Sequence, residues 1–335
     1  ERGMCIRDRY RTQWIDADEE HRIYVERCGC EGGVPVIFLH GGPGSSTNAN
    51  HRRYFDPNFF DVVLFDQRGC GQSVPSGLTK SNTTRHLIED INLIKTTLGI
   101  TQRVIIFGGS WGSALALAYA AEYGEHVEAL VLRGIFLGSR EEVRWYTNEL
   151  KRFMPGAHDQ LLWDSSGDLV SHYYDRINSS DRSLANEACC RWNDYEIQSM
   201  MLGSDVSHQA REKTREVSEA ELARAQIQLH YLKHDCFLAS NELLQKAELI
   251  TNQTVIVQGG MDMICPPLTA YQLHEKLSGS RLRVVGPGGH GAWQTNIANA
   301  LSEEMELLKK KDPTAHGHSI SSPARDVLDP RRCYI

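Results

Sequence analysis

Short apolar runs of strand length, separated by helix-like stretches, constrain the fold of this chain most strongly. The runs are Val34–His40, Val62–Asp66, Arg103–Gly108, Ala129–Arg133, Thr254–Gly259 and Arg283–Gly286. Helical patterns lie between several of them, for example Thr84–Leu98 and Ser113–Tyr123. Strands that are apolar along their whole length are buried on both faces, and their alternation with helices is typical of a parallel α/β fold. We therefore predict a mostly parallel central sheet flanked by helices, with two polar-edged strands before it in residues 10–28.

The strand–helix alternation stops near Leu137 and resumes near Ile250. The intervening helix-like segments are Glu141–Phe153, Asp159–Asp175, Leu184–Met201 and Ser218–Ala239. We predict the first part of an α/β core in residues 1–136, an inserted helical cap domain in 137–240 and the second part of the core in 241–311. Residues 312–335 contain three prolines and few large apolar side chains, which predicts a C-terminal tail laid loosely on the surface.

Composition excludes several classes of protein. The chain has 335 residues, of which 41% are hydrophobic and 24% are charged, as in ordinary globular proteins. The net charge is −7 and no basic block is present, so we expect no nucleic-acid partner. No apolar run approaches the roughly 18 residues of a membrane helix, so we expect no membrane partner. No pattern indicates an oligomeric state.

The cysteine pattern bears on the cellular compartment. The nine cysteines are scattered without paired Cys-x-x-Cys spacing, which predicts reduced thiols and a cytoplasmic location. The charged start, Glu1–Arg9, does not have the pattern of a signal peptide. Because the first residue is not Met, removal of a leader stays open.

A Gly-x-Ser-x-Gly motif lies between a predicted strand and a predicted helix. It is Gly108-Gly109-Ser110-Trp111-Gly112, after the strand Val104–Phe107. A sharp turn there lifts the serine hydroxyl above the sheet, where a base can reach it. The following helix N-terminus offers free N–H groups to a developing oxyanion. A glycine-rich strand–helix turn can be a mere connection, but this context favours Ser110 as a nucleophile.

A base and an orienting acid follow in the order that such a nucleophile requires. Asp262 follows the strand Val255–Gly260, and His290 ends a glycine-rich loop after the next strand. Loops after parallel strands meet at one edge of the sheet. We therefore predict that His290 is the general base and Asp262 its orienting carboxylate.

The oxyanion hole needs a second donor from an early loop. His40-Gly41-Gly42-Pro43-Gly44 follows the strand Val34–Leu39, and its glycines allow close approach of the backbone to a substrate oxygen. We predict that the main-chain N–H groups of Gly42 and Trp111 form the hole. Pro43 has no N–H to donate.

Together these motifs resemble the proline iminopeptidases. The resemblance rests on HGGPG at 40–44, DQRGCGQS at 66–73, GGSWGS at 108–113, LRGIF at 132–136 and the loops that hold Asp262 and His290. It covers about residues 10–310. It implies an α/β-hydrolase fold, a helical cap over the substrate, and a serine peptidase that releases an N-terminal residue, usually proline.

The resemblance also assigns residues to substrate binding. Family members grip the substrate's α-ammonium with carboxylates from the cap. One follows a W-x-x-W-E pattern, which here is WNDYE and ends at Glu196. The second lies in an R-I-E-x-H-Y-like segment, which here is QIQLHY and places Gln228 at the glutamate position. A carboxylate and a neutral amide compensate a cation less than two carboxylates do, so either the amine binds more weakly or the substrate differs.

Four further positions match residues near the site in the family. Phe136 and Tyr146 match aromatic residues that surround the proline ring, although each could serve in packing alone. Arg133 and Cys265 also match, without an assigned role in the chemistry. No cofactor is implied. The pairs Cys28-Gly-Cys30 and His316-Gly-His318 lack a second ligand pair, so we expect no metal site.

These features predict a serine exopeptidase that acts on short peptides or on amino-acid amides and esters through an acyl-enzyme. The first alternative is an amidase, an esterase or a biosynthetic acyl-transfer enzyme with the same machinery, which the Gln228 departure favours. The second is a non-catalytic binding protein that reuses the fold. The intact set of Ser110, Asp262 and His290 argues against that second alternative.

Overall fold

An eight-stranded sheet forms the centre of the computed structural model, which describes residues 10–202 and 216–311. The strands are β1 (Tyr10–Asp16), β2 (Arg22–Gly29), β3 (Val34–Leu39), β4 (Phe60–Phe65), β5 (Val104–Gly109), β6 (Val127–Arg133), β7 (Gln253–Gly259) and β8 (Ser280–Val285). Their order across the sheet is β1-β2-β4-β3-β5-β6-β7-β8. The β1–β2 and β2–β4 pairs are antiparallel and the others are parallel. The predicted fold class is thus confirmed, and the loops after β3, β5, β7 and β8 meet at one edge of the sheet.

Ten α-helices occur in the described residues. They are α1 (Thr84–Thr97), α2 (Trp111–Tyr123), α3 (Arg140–Arg144), α4 (Pro155–Leu162), α5 (Leu169–Ile177), α6 (Arg182–Met201), α7 (Glu219–Lys233), α8 (Glu242–Lys246), α9 (Pro267–Lys276) and α10 (Thr295–Lys311). Short 3₁₀-helical segments occur at Ala49–Tyr54, Gly124–His126, Leu150–Arg152, Asp235–Phe237 and Ala247–Leu249, and a short π-helical segment occurs at Trp145–Glu149. Helices α3 to α7 lie between β6 and β7 in the chain, within the segment where the cap is expected. None of the ten combines the length and apolarity needed to cross a membrane.

Two helices expected in the insertion are shorter than predicted. The Asp159–Asp175 segment divides into α4 and α5, with Trp163 at a φ of 51° and the Asp168 carboxylate accepting from the Ser171 N–H to begin α5. Serine and aspartate compete for backbone hydrogen bonds in this way, which interrupts helices. The Ser218–Ala239 segment leaves the helix after Lys233, because residues 235–237 have positive φ. The expected tail at 312–335 lies outside the described residues.

Three clusters of buried apolar side chains stabilise the described residues. One lies between the sheet and α1, α2, α8 and α9, and a second lies between the opposite face and α10. The third is internal to the helical insertion and is centred on aromatic residues such as Tyr173, Trp192 and Tyr195. Helix α7 belongs to two of the clusters, since Ile227 faces the sheet cluster and Leu229 the insertion cluster. Free thiols occur in widely separated parts of the described chain, at Cys28, Cys30, Cys70, Cys236 and Cys265.

A buried ion pair joins the loop after β4 to α1. Arg68 donates from Nε and Nη2 to the two Asp90 oxygens, each at 2.7 Å, and both side chains are almost fully buried. Arg68 Nη1 also donates to Asp18 Oδ2 at 2.5 Å, in the turn between β1 and β2. One guanidinium therefore holds together three segments that are distant in sequence.

Removing Asp90 should be costly, because it leaves the buried Arg68 guanidinium with only the partly exposed Asp18 carboxylate as an ionic partner. We expect Asp90→Ala to lower the free energy of unfolding by about 3–5 kcal/mol, measured by urea denaturation. The control is Asp16→Ala, which breaks the exposed Asp16–Arg22 pair and should cost at most about 1 kcal/mol. Equal losses in the two variants would contradict the assigned role of the Arg68 pair.

Candidate active site

Ser110 occupies a strained turn between β5 and α2. Its φ and ψ are 55° and −124°, in a region that non-glycine residues rarely adopt. The turn is tight, because a Cβ at Gly112 would lie 2.2 Å from the Leu39 carbonyl oxygen of β3. The strand–turn–helix geometry predicted around Ser110 is therefore present, and such strain is typical of functional positions.

Asp262 and His290 form a buried hydrogen-bonded pair. His290 Nδ1 lies 2.8 Å from Asp262 Oδ2, and the two side chains are 7% and 0% exposed. Since the carboxylate accepts, Nδ1 carries the proton and Nε2 is left as an acceptor. This is the tautomer that a general base at a serine requires.

Neighbouring residues hold the Asp262 carboxylate in place. Its Oδ1 accepts the N–H groups of Ile264 and Cys265 at 3.1 and 2.8 Å. The fully buried Gln258 donates from Nε2 to the Cys265 carbonyl and accepts from the Ile135 N–H, at 2.9 and 3.1 Å. Sequence reasoning gave Gln258 no role, because a glutamine within an apolar strand has no distinguishing pattern.

Arg133 and Cys265, which the resemblance left without a role, both lie beside these groups. Arg133 Nη1 donates to the His290 carbonyl at 2.7 Å and lies 3.4 Å from Nε2. Burial raises the pKa of the Cys265 thiol well above its ordinary value, and the nearby Ser110 hydroxyl acts in the opposite direction. Cys265 is thus a protonated, buried neighbour of Ser110. No group of three or more His, Cys, Asp or Glu residues in 10–202 and 216–311 is arranged to hold a metal ion.

The two predicted oxyanion donors lie on the loop after β3 and at the start of α2. Gly42 lines the cavity in front of Ser110, together with Gly41. Trp111 is the first residue of α2, and its side chain is fully buried away from that cavity. Since the side chain faces away from the cavity, the predicted role of Trp111 in the oxyanion hole depends on its main-chain N–H alone.

A buried glutamine holds the loop after β3 against α2. Gln67 donates from Nε2 to the His40 carbonyl at 3.0 Å and accepts from Trp111 Nε1 at 2.9 Å. The Gln67 main-chain N–H donates to His40 Nε2 at 3.0 Å, and His40 Nδ1 donates to the Gly41 carbonyl at 2.9 Å. Burial lowers the pKa of His40, which agrees with this neutral tautomer. The Gln67 side chain thus joins the two segments that carry the predicted oxyanion donors.

Asp66 stabilises the same loop from its other end. Its Oδ1 accepts from the Thr47 N–H and hydroxyl at 2.7 and 2.8 Å, and its Oδ2 accepts from the Gln72 N–H at 2.8 Å. The sequence stretch at 66–73 carried much of the family resemblance without an assigned role. The structure shows that its first two residues, Asp66 and Gln67, support the loop after β3, and that its third, Arg68, joins α1 to the turn between β1 and β2.

A cavity of about 250 Å³ opens above Ser110. Every predicted substrate-binding residue lines it with Ser110 and His290, namely Glu196, Gln228, Phe136 and Tyr146. Asp262 lies behind His290, and Trp111 lies behind Ser110. The structure thus brings together Ser110 and His290, which are 180 positions apart in sequence.

Comparisons with known proteins identify the family. The family model for the alpha/beta hydrolase fold matches residues 34–293. The chain is 38% identical to a probable proline iminopeptidase of Leptolyngbya boryana, over 89% of this chain and 94% of that protein. It is 39% identical to a proline iminopeptidase of Xylella fastidiosa, over 85% of this chain and 92% of that protein. The chain belongs to the proline iminopeptidase family. An esterase from Exiguobacterium antarcticum shares its fold, with a TM-score of 0.55, 22% identity, and coverage of 89% of this chain and 99% of that one.

In this member of the proline iminopeptidase family, the Glu196 carboxylate already forms an ion pair within the protein. Its Oε1 accepts from Arg224 Nη2 at 2.6 Å, and Arg224 lines the same cavity. Its Oε2 is buried without a hydrogen-bond partner among the described residues. Burial, followed by the charge of Glu196, raises the pKa of Tyr146 well above its ordinary value. Sequence reasoning missed Arg224, because an arginine on a helix is usually solvated.

Gln228 differs from a carboxylate in the hydrogen-bonding group that it presents to the cavity. Its Oε1 accepts from Trp192 Nε1 at 2.7 Å, and an indole N–H can only donate, so this fixes the orientation of the amide. The remaining polar group of Gln228 is the Nε2 donor. The position where the family has a glutamate therefore offers the cavity a hydrogen-bond donor.

Helix α7, which carries Arg224 and Gln228, packs against the loop after β3. We call this loop, residues 40–44, the oxyanion loop after the predicted role of Gly42. Gly44 has a φ of +92°, and a Cβ there would lie 2.4 Å from the Arg224 carbonyl oxygen. The helix backbone and the loop backbone are therefore in direct contact, and the cavity-facing side chains of α7 are placed relative to Ser110 by main-chain packing.

We expect Gly44→Ala to separate α7 from the loop. The matched control is Gly32→Ala, which has a similar φ of +82° but no atom within 4 Å of the added carbon. Backbone strain should cost about 1–2 kcal/mol in each variant, and the clash should add about 1–3 kcal/mol for Gly44→Ala alone. Urea denaturation measures both values, and equal losses would show that the contact with α7 is unimportant.

Proposed function

We propose that this protein is a serine exopeptidase that releases an N-terminal residue, with proline preferred, from short peptides or amino-acid amides. One observation carries the proposal: a strained serine and a histidine–aspartate pair share a cavity with a buried carboxylate oxygen that has no hydrogen-bond partner in the part of the chain that the structure describes. The first group can cleave an acyl bond, and the second can bind the α-ammonium that defines an N-terminus. The names of the relatives support proline as one residue released.

The proposed reaction uses the residues of this cavity without a cofactor. The Ser110 hydroxyl attacks the carbonyl carbon of the first residue while His290 Nε2 takes its proton. The main-chain N–H groups of Gly42 and Trp111 stabilise the oxyanion of the tetrahedral intermediate. His290 then gives the proton to the leaving amine as the C–N bond breaks. Water, deprotonated by His290, hydrolyses the acyl-enzyme and frees Ser110.

The cap would restrict the reaction to the first residue. Glu196 Oε2 binds the α-ammonium, and Phe136 and Tyr146 contact the side chain of the residue released. We propose that residues 137–240 act as this cap, with 1–136 and 241–311 as the core, and that it excludes folded proteins. The free thiols are those expected in a reducing compartment, so we propose a cytoplasmic location.

An esterase or amidase without amine recognition is the second candidate. The Arg224–Glu196 pair favours it, because the guanidinium offsets the negative charge that an ammonium would otherwise meet. The two candidates differ in one property, which is dependence on a free α-amine.

A matched substrate panel separates the two candidates. We expect prolyl p-nitroanilide to be hydrolysed with a higher kcat/KM than N-acetylprolyl p-nitroanilide, p-nitrophenyl acetate or p-nitrophenyl butyrate, because only the first substrate engages Glu196. Ser110→Ala should abolish turnover of all four, and Asp262→Asn should lower kcat by about 10⁴-fold through loss of the histidine tautomer.

Two results would contradict the exopeptidase proposal. If the esters lead and acetylation has no effect, the protein is an esterase or amidase. If a fluorophosphonate probe fails to label Ser110 in the folded protein, the serine is not a nucleophile and a binding function is favoured.

Gln228→Glu should strengthen amine binding. The substitution adds a second carboxylate to the cavity and can keep the hydrogen bond from Trp192. We expect KM for prolyl p-nitroanilide to fall about tenfold, as one charge-assisted hydrogen bond allows. The control is Gln226→Glu, which adds the same charge to α7 outside the cavity. An unchanged KM in Gln228→Glu would show that the ammonium does not reach this position.

A further inference from the structure

Three side chains from two cap helices form a polar cluster in the cavity wall. Glu196 comes from α6, and Arg224 and Gln228 lie one turn apart on α7. The i and i+4 positions of a helix share one face, so both α7 side chains reach the same part of the cavity. The Glu196–Arg224 contact at 2.6 Å holds the cluster together.

The polar atoms of this cluster that are not engaged within it include both a hydrogen-bond acceptor and hydrogen-bond donors. Glu196 contributes one acceptor, Oε2, which is buried and without a partner among the described residues. Arg224 contributes Nε and Nη1, since only Nη2 contacts Glu196. Gln228 contributes Nε2, since Oε1 is held by Trp192. The cluster therefore presents one acceptor beside several donors, one of them on a full positive charge.

An ammonium group alone does not satisfy this arrangement. It would pair with Glu196 but would also lie near the Arg224 guanidinium, which already balances the Glu196 charge. A ligand that carries both an ammonium and a nearby carboxylate satisfies both halves. Arginine and amide N–H groups are favourable partners for a carboxylate.

The donors are fixed relative to the reacting atoms. The Arg224 main chain packs against Gly44 of the oxyanion loop, and the Gln228 amide is oriented by Trp192. A carboxylate bound there would thus lie at a defined distance from the scissile carbonyl, as substrate selection requires.

We propose that Arg224 and Gln228 bind the side-chain carboxylate of an acidic N-terminal residue while Glu196 binds its α-ammonium. The protein then releases N-terminal glutamate or aspartate in addition to proline. This inference rests on the proposed exopeptidase function and specifies a further substrate class for the same site.

Isosteric substrates test the inference in the wild-type protein. The substrates are α-glutamyl, glutaminyl, aspartyl, asparaginyl and prolyl p-nitroanilides. Glutamyl and glutaminyl groups differ in charge and little in shape, so their ratio of kcat/KM reports binding of the carboxylate. We expect glutamyl to exceed glutaminyl by about tenfold, as a charge-assisted hydrogen bond allows. We expect aspartyl to exceed asparaginyl in the same direction.

Substitution of Arg224 locates the effect. Arg224→Met should reduce the glutamyl-to-glutaminyl ratio to about one or below, whereas Arg224→Lys should retain part of it, because the charge remains and the planar fork is lost. A general disturbance of Glu196 would affect both substrates equally, since both carry the ammonium, and would leave the ratio unchanged. The control is Arg140→Met, which removes an exposed arginine outside this cavity and should leave the ratio as in wild type.

The outcomes separate this inference from the proposed function. If prolyl p-nitroanilide is hydrolysed and the wild-type glutamyl-to-glutaminyl ratio is one or less, the acidic-substrate inference is wrong and the exopeptidase proposal stands. If the ratio is high in wild type and unchanged in Arg224→Met, Arg224 is not the carboxylate partner and the inference is again wrong. If no free-amine substrate is hydrolysed, both proposals are overturned.

Discussion

The side chain of Gln67 is the contact on which the geometry of the site depends. It joins the loop after β3 to the helix after β5, through the His40 carbonyl and the Trp111 indole. These two segments carry the proposed oxyanion donors. Their strands β3 and β5 are paired in the sheet, and Gln67 adds a side-chain link beyond the ends of those strands. Since all of these groups are buried, loss of either hydrogen bond would leave a polar atom without a partner. Its two neighbours in the chain anchor the segment that carries Gln67, because Asp66 binds Thr47 and Gln72 and Arg68 binds Asp90.

The central sheet and the arrangement of Ser110, Asp262 and His290 could be predicted because each has a local signal. Buried parallel strands are apolar runs, and each of the three residues follows such a run within a glycine-rich turn. The interruption at Trp163 and the end of α7 at Lys233 were missed, because weak helix breakers act only when tertiary packing favours them. Arg224 had no signal at all. Its partner Glu196 lies on another helix 28 positions away, and only the packing of α6 on α7 brings them into contact.

The cavity balances charge differently from the pattern that the family resemblance implied. Two cap carboxylates would give an ammonium ion an excess of negative charge. Here one carboxylate is offset by a guanidinium, and the second position holds an amide whose oxygen is already engaged. Net attraction for a simple cation is reduced, and attraction for a group that bears both charges is increased. In the proposed function, the atoms that would cleave the bond differ from the atoms that would bind the α-ammonium. Recognition of the substrate can therefore change while the proposed reaction stays the same.

Helix α7 is shared between the apolar cluster on the sheet and that of the helical insertion. Ile227 and Tyr231 pack into the sheet cluster, where Tyr231 contacts Trp111 of α2, while Ala225 and Leu229 pack into the helical insertion. Any displacement of α7 would have to break one of these two interfaces. Arg224 and Gln228, which line the cavity from α7, are consequently held in position relative to Ser110. Exchange of a few side chains on one face of α7 is then a short evolutionary route to new specificity. Such an exchange would change which substrate is bound without moving Ser110.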